Sequence, residues 1–190
     1  MSHNDFFLDS GLVYGYADNK DDFHRPFLDH LDNFPYEKNN YHAVKRVTML
    51  EIKAIRSSKR TRPGATKVRN AGRMILAQII AKVEYLFEQG KIKNKDYTLT
   101  HTASFRDLYR EIYATLESGK KNHDKKDRDA DILTNAFIWE KEESQLYNPH
   151  FITVDKNDII DNKISIKCKA DRCLNETSRL EFCLISKHAS

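Results

Sequence analysis

Two short apolar segments that each end in an acidic residue constrain the fold of this chain more than any other feature. Residues 5–9 read DFFLD, and residues 151–155 read FITVD. A short apolar run bounded by polar residues predicts a buried strand. Because helical patterns lie between these segments, we predict an α/β sandwich with a mainly parallel sheet. The carboxyl ends of parallel strands share one edge, so Asp9 and Asp155 are expected at the same edge, where ligands gather.

Apolar residues at helical spacing predict a helix-rich middle segment. The clearest pattern runs from Leu76 to Phe87 and ends at Gly90, and a similar one runs from Phe105 to Leu116. We predict further helices around residues 12–16, 28–34, 42–58 and 132–137, with a brief extended piece at the start of 42–58. Residues 120–128 read as a polar loop, and in the tail residues 164–166 and 180–185 predict weaker strands.

The composition favours a single domain in a reducing compartment. Glycine and proline together account for 10 of 190 residues, which argues against an all-β or low-complexity chain. No stretch approaches the ~18 apolar residues of a membrane span, and the N-terminus lacks an export signal. Cys168, Cys173 and Cys183 are odd in number and lack the paired short spacings of a zinc site. We therefore expect a cytoplasmic protein without a disulfide framework.

Charge is unevenly distributed along the chain. Residues 1–37 contain eight acidic and two basic residues, whereas residues 45–73 contain ten basic residues and one acid, Glu51. A concentrated cationic segment favours phosphate-rich partners, because binding releases condensed counterions. The alternative is a solvated helical face. An acidic pocket within a basic frame indicates metal-dependent phosphodiester chemistry.

Four acidic motifs occur in a fixed order along the chain. They are FFLDSG with Asp9, RVTMLEI with Glu51, the helix opening Asp129-Ala130-Asp131-Ile132, and the strand end Thr153-Val154-Asp155 with Asp158. In this the sequence resembles the PIN-domain nucleases, whose members are mostly metal-dependent ribonucleases. The resemblance implies a PIN-like three-layer α/β/α sandwich over residues 1–160 and leaves residues 161–190 as a C-terminal extension packed on the same domain. The chain departs from the family at Gly11, where Asn is common.

The resemblance implies an endoribonuclease that depends on Mg²⁺ or Mn²⁺. Hard cations of this kind bind carboxylate oxygens and water. The implied catalytic and metal-holding residues are Asp9, Glu51, Asp129 and Asp155, with Asp131 and Asp158 as further metal ligands. RNA would be bound by Ser10 and by basic side chains of the cationic segment, namely Arg56, Lys59, Arg60, Arg62, Lys67, Arg69 and Arg73.

The family also suggests protein partners. Many of its bacterial and archaeal members are the toxin of a toxin–antitoxin pair, and members commonly form homodimers. A cognate antitoxin and a second copy of the chain are therefore candidate partners beside RNA, and no membrane partner is expected.

Most of these acids also have a purely structural explanation. Thr48-x-x-Glu51 matches a capping box, Asp127 or Asp129 would serve as the N-cap of the helix that contains Ile132, and Asp155 with Asp158 would open a short helix. Asp9 is hardest to explain in this way, because an acid that closes a buried strand has no capping role there.

Two other functions stay open from the sequence. If the acids only cap helices, the chain is a PIN-like nucleic-acid-binding module without catalysis. Acid-topped sheets also serve aspartyl-phosphate chemistry, a reading that leaves Glu51 and Asp129 without a role.

Overall fold

Five parallel strands form the central sheet of the computed structural model. The structure describes residues 3–58, 66–100, 102–117, 123–143 and 147–186, with side chains for 3–54, 75–100, 103–116, 127–143 and 147–186. The strands are β1 (Asp5–Leu8), β2 (Asn40–Ala43), β3 (Lys93–Asn94), β4 (Pro149–Thr153) and β5 (Glu181–Leu184), in the spatial order β3-β2-β1-β4-β5. Every pair of neighbours is parallel. The predicted α/β fold with a parallel sheet is confirmed.

The described helices lie between these strands. They are α1 (Ser10–Ala17), α2 (His24–Asn33), α3 (Lys45–Ser58), α4 (Thr66–Glu88), α5 (Thr102–Glu117), α6 (His123–Glu142) and α7 (Lys163–Leu174), with a single π-helical turn at Lys156–Ile160. Two predictions are wrong. The loop expected over 120–128 is already helical from His123, and residues 164–166 belong to α7 instead of a strand.

Alternation along β1 sorts its side chains between the two faces of the sheet, because successive residues of a strand point to opposite sides. Phe6 and Leu8 join one hydrophobic cluster with residues of α1 to α4. Phe7 joins the other, with residues of α5, α6 and α7, and its ring lies 5.3 Å from that of the fully buried Trp139. Both faces are therefore covered by helices, which gives the three layers of an α/β/α sandwich.

The strand order reverses beside β1, which has β2 on one side and β4 on the other. The register pairs Leu8 with Ile152, and the amide of Asp9 donates to the carbonyl of Ile152 at 2.9 Å. The two strands therefore end at the same level, and the residues that follow them lie side by side. In open parallel sheets, the crevice at such a reversal is where ligands bind.

Residues beyond 160 add structure to the same sheet. β5 pairs with β4 in parallel, and α7 buries Ile166 and Ala170 in the cluster that contains Phe7. None of the helices that the structure describes combines the length and the apolar character needed to cross a bilayer.

Candidate metal centre

The four principal predicted acids line a single cavity of about 320 Å³ at the carboxyl edge of β1 and β4. Asp9 follows β1, Glu51 lies on α3, Asp129 lies on α6 and Asp155 follows β4. Asp9 and Asp129 are buried, and Glu51 and Asp155 are half-buried. Four acids that are far apart in the sequence are thus delivered to one place by the order of the strands.

Asp9 is held in position by the hydroxyl group of Thr153. Thr153 donates from Oγ1 to Oδ2 of Asp9 at 2.6 Å, and Ser10 lies 3.4 Å from the other carboxylate oxygen. The same Thr153 oxygen accepts the backbone N–H of Asp155 at 2.9 Å. Since Thr153 is fully buried at the end of β4, it ties the two aspartates to each other.

Asp129, Asp155 and Asp158 form the tightest acidic group in the described residues, and we call them the acidic trio. One carboxylate oxygen from each lies within 4.8 Å of the other two. Asp158 is buried, and its backbone N–H donates to Asp155 Oδ1 at 2.8 Å across the π-helical turn. Burying carboxylates this close together is costly without a compensating cation.

Glu51 reaches the cavity from the middle of α3. Its carboxylate accepts a hydrogen bond from the hydroxyl of Ser10, the first residue of α1. Ser10 is 1% exposed, so its hydroxyl is positioned to orient carboxylates in this structure. The predicted role of Ser10 in binding RNA stays a prediction.

The structure does not bring Asp131 to this cavity. Arg46 on α3 donates to both carboxylate oxygens of Asp131, at 2.9 and 3.0 Å, and also binds Asp96 at 2.9 Å. Burial raises the pKa of Asp131 even against this ion pair, and the same ion pair raises the pKa of Arg46. Asp131 therefore contributes to the contact between α3 and α6, whereas Asp158 lies beside Asp129 and Asp155.

The side chains of the predicted RNA-binding cations all lie outside the part of the chain whose side chains the structure describes. Lys59, Arg60 and Arg62 lie outside the described residues. The backbone of the other four residues is described and is helical. Arg56 lies on α3, and Lys67, Arg69 and Arg73 lie on α4.

Several of the capping explanations are contradicted by the helix boundaries. Thr48 lies inside α3, where its hydroxyl donates to the carbonyl of Val44 at 2.9 Å, so it forms no capping box with Glu51. Asp127 and Asp129 lie inside α6 and are not its N-cap.

Of the remaining two expectations, the one for Asp155 and Asp158 is confirmed and the one for Asp9 is wrong. Asp155 does cap the π-helical turn through the amide of Asp158. Asp9, which was expected to have no capping role, is the N-cap of α1 and accepts from the amide of Gly11 at 3.4 Å. Asp9 and Asp155 therefore each cap a helical segment and also line the cavity.

Sequence reasoning missed three residues around the cavity. Thr153 belongs to the strand-end motif, but its contact with Asp9 was not predicted; its position two residues before Asp155 was the available signal. Lys156 and Asn157 also line the cavity, directly after Asp155. Lys156 is exposed and is the one cation among the described residues that line the cavity.

Comparisons of the chain with family models, with curated proteins and with solved structures found no match. The fold and the cavity define the class of protein: an α/β/α sandwich with an acidic cavity at the reversal point of a parallel sheet. The PIN-domain resemblance stays a hypothesis that rests on the motifs and on their placement.

Proposed function

We propose that the protein is a PIN-like, divalent-metal-dependent endoribonuclease. The observation that carries the proposal is the convergence of Asp9, Glu51, Asp129 and Asp155 on one cavity at the carboxyl edge of the sheet. This is the set that the resemblance implies, and it occupies the place where a parallel sheet binds ligands.

The residues fit a hard divalent cation. The acidic trio presents three carboxylate oxygens within 4.8 Å of one another, and two of these side chains are buried. Mg²⁺ and Mn²⁺ prefer oxygen ligands, and a bound cation removes the mutual repulsion of the carboxylates. Asp129, Asp155 and Asp158 would hold the ion, with Asp9 facing it from the same cavity.

The chain supplies the positioning groups for phosphodiester hydrolysis. A divalent cation bound here would lower the pKa of water and offset the charge that develops on the phosphate. Thr153 fixes the carboxylate of Asp9. Ser10 orients Glu51, whose carboxylate accepts a proton from the attacking water. Lys156 offers a point charge to a non-bridging phosphate oxygen.

The cellular setting follows from the same proposal. The three cysteines are free, which suits a reducing cytoplasm. The cognate antitoxin and the homodimer come from the PIN resemblance alone and are part of the proposal on that basis.

The test is metal-dependent cleavage of a labelled single-stranded RNA. We expect cleavage with Mn²⁺ or Mg²⁺, its loss with a chelator, and its return when metal is restored. Asp9→Asn and Asp155→Asn should each slow cleavage by roughly 100-fold or more, because several kcal/mol of electrostatic stabilisation is lost. Asp29→Asn, on α2 outside the cavity, is the matched control and should cleave normally.

Two outcomes would contradict the proposal. If Asp9→Asn cleaves at the full rate, the assigned site is wrong. If the protein binds RNA with strong salt dependence but never cleaves it with any metal, the binding-module alternative replaces the nuclease.

A further inference from the structure

A second cavity, of about 720 Å³, opens between α3, α5 and α6. We call it the helix pocket. It shares two helices with the acidic cavity, and the shared helices carry neighbouring residues of both. On α3, Leu50 lines the helix pocket and Glu51 lines the acidic cavity. On α6, Arg128 lines the helix pocket and Asp129 lines the acidic cavity. The two cavities are therefore adjacent.

The walls of the helix pocket suit a flat, largely apolar ring. Phe105 and Tyr109 lie on one turn of α5 with nearly parallel rings, 6.1 Å apart and inclined by 14°. Val47, Leu50 and Ala54 line the pocket from α3. Leu50 leaves half of its surface exposed, whereas Val47 and Ile52 on the same helix are buried. Aromatic rings beside an exposed aliphatic side chain form a stacking surface and offer little to a phosphate.

The polar groups of the helix pocket are mostly committed to each other. Arg46 pairs with Asp131, and the hydroxyl of Tyr109 donates to Asp127. Arg128 also lines the pocket, and its Nε has no hydrogen-bond partner within the described part of the chain. This Nε is buried, so an acceptor atom of a ligand reaches it only when the guanidinium turns toward the pocket. A buried N–H without a partner is costly, which favours that turn when a ligand supplies an acceptor.

We propose that the helix pocket binds one unpaired nucleobase of the strand whose phosphate lies in the acidic cavity. The proposal rests on the nuclease function proposed above, because the acidic cavity supplies the phosphate end of the same nucleotide. A base carries acceptor atoms for the guanidinium of Arg128 and a flat face that can stack on Tyr109, which is half-buried, whereas Phe105 is buried. A paired base would first have to leave its duplex, so the pocket selects unpaired positions.

The test compares ligands with and without a base. Binding of nucleoside 5′-monophosphates and of ribose 5-phosphate is measured by calorimetry on the full chain with Mn²⁺. We expect the monophosphates to bind more tightly than ribose 5-phosphate. Leu50→Ala and Tyr109→Leu should weaken monophosphate binding by about 5-fold to 100-fold, the range found for loss of a stacking contact, and leave ribose 5-phosphate binding unchanged.

Two matched variants control for general damage. Tyr113 stacks on Tyr109 one turn further along α5 but does not line the helix pocket, so Tyr113→Leu should change neither affinity by more than about twofold. Ile164→Ala is the control for Leu50→Ala, because Ile164 is a highly exposed aliphatic residue on α7 that does not line the helix pocket. It should also change neither affinity by more than about twofold. Leu50 is itself half exposed, so its truncation should leave the protein folded.

The outcomes separate this proposal from the nuclease. If RNA is cleaved but monophosphates bind no more tightly than ribose 5-phosphate, the helix pocket is not a base site and the nuclease stands. If Leu50→Ala weakens the binding of monophosphates, and no metal supports RNA cleavage, the base site stands and the nuclease fails. If Tyr113→Leu weakens binding as much as Tyr109→Leu, the pocket proposal is overturned.

Discussion

Neutralising one member of the acidic trio should reduce the stabilisation that a divalent cation gives the protein. Two carboxylate oxygens 4.8 Å apart or less repel by at least about 1 kcal/mol in a water-like medium and by at least about 3 kcal/mol at an effective dielectric constant of about 20. Asp129 is buried and has two such neighbours, so a cation bound among them offsets both repulsions. Asp129→Asn keeps the shape of the side chain but removes a charged ligand, so the variant has less to gain from the cation.

Metal binding should separate the two proteins. Thermal unfolding at pH 7 is followed by circular dichroism with EDTA and with Mn²⁺, and 1 kcal/mol corresponds to a Tm shift of about 2 to 4 °C for a chain of this size. Wild type should gain about 3 kcal/mol at a Mn²⁺ concentration 100 times Kd, whereas Asp129→Asn should gain much less. The rise in Tm on adding Mn²⁺ is therefore larger for wild type than for Asp129→Asn.

Asp96→Asn provides a control outside the acidic trio. Burial favours the neutral form of Asp96, but hydrogen bonds from Arg46 and Thr98 outweigh burial and lower its pKa. Removing this charge should destabilise the protein equally with and without Mn²⁺. If Mn²⁺ raises the Tm of Asp129→Asn as much as that of wild type, the reasoning about the acidic trio is refuted.

Three further changes test other parts of the account. Thr153→Val removes the hydroxyl between Asp9 and Asp155, so Mn²⁺ affinity measured by titration should fall by about 10-fold to 100-fold; an unchanged affinity would exclude this role. Burial lowers the pKa of His30 from about 6.5 to about 4, so the unfolded chain takes up a proton on this imidazole at a higher pH than the folded protein does. The free energy of unfolding should therefore fall by about 3 kcal/mol as the pH drops between those two values. His30→Phe should flatten that part of the urea-unfolding profile, and a profile that keeps its slope would contradict the assignment. Lys156→Gln should weaken RNA binding and reduce its salt dependence, and equal binding at every salt concentration would show that Lys156 does not contact phosphate.

The sheet and the acidic edge could be predicted because both depend on local signals. Short apolar runs marked β1 and β4, and the residue after each run had to lie at the shared carboxyl edge. Glu51 and Asp129 needed the additional motif order, since nothing local to α3 or α6 shows that the two helices meet. Their convergence with Asp9 follows from the tertiary arrangement.

The failed predictions have identifiable physical causes. Residues 123–128 are polar throughout, so the start of α6 gave no apolar periodicity to detect. In α7, Ile164 and Ile166 alternate as in a strand, but Ile164 is 79% exposed while Ile166, Ala170 and Leu174 are buried at a spacing of four. A small alanine in that stripe concealed the helical pattern.

The helix pocket could not be read from the sequence at all. It requires three helices to pack so that Leu50 stays exposed beside Phe105 and Tyr109, and each of these residues alone looks like a core position. The orienting role of Thr153 is similar, because the hydroxyl meets Asp9 only when β1 and β4 pair in their observed register.

Anomalous scattering from a crystal soaked in Mn²⁺ tests the central claim most directly. The account predicts a manganese peak at direct coordination distance from carboxylate oxygens of Asp129 and Asp155, with Asp9 facing the same ion. The peak should vanish in Asp155→Asn crystals of the same form. A saturating soak that leaves no peak among these carboxylates, or that places manganese only elsewhere on the protein, would contradict the claim that this cavity is a metal centre.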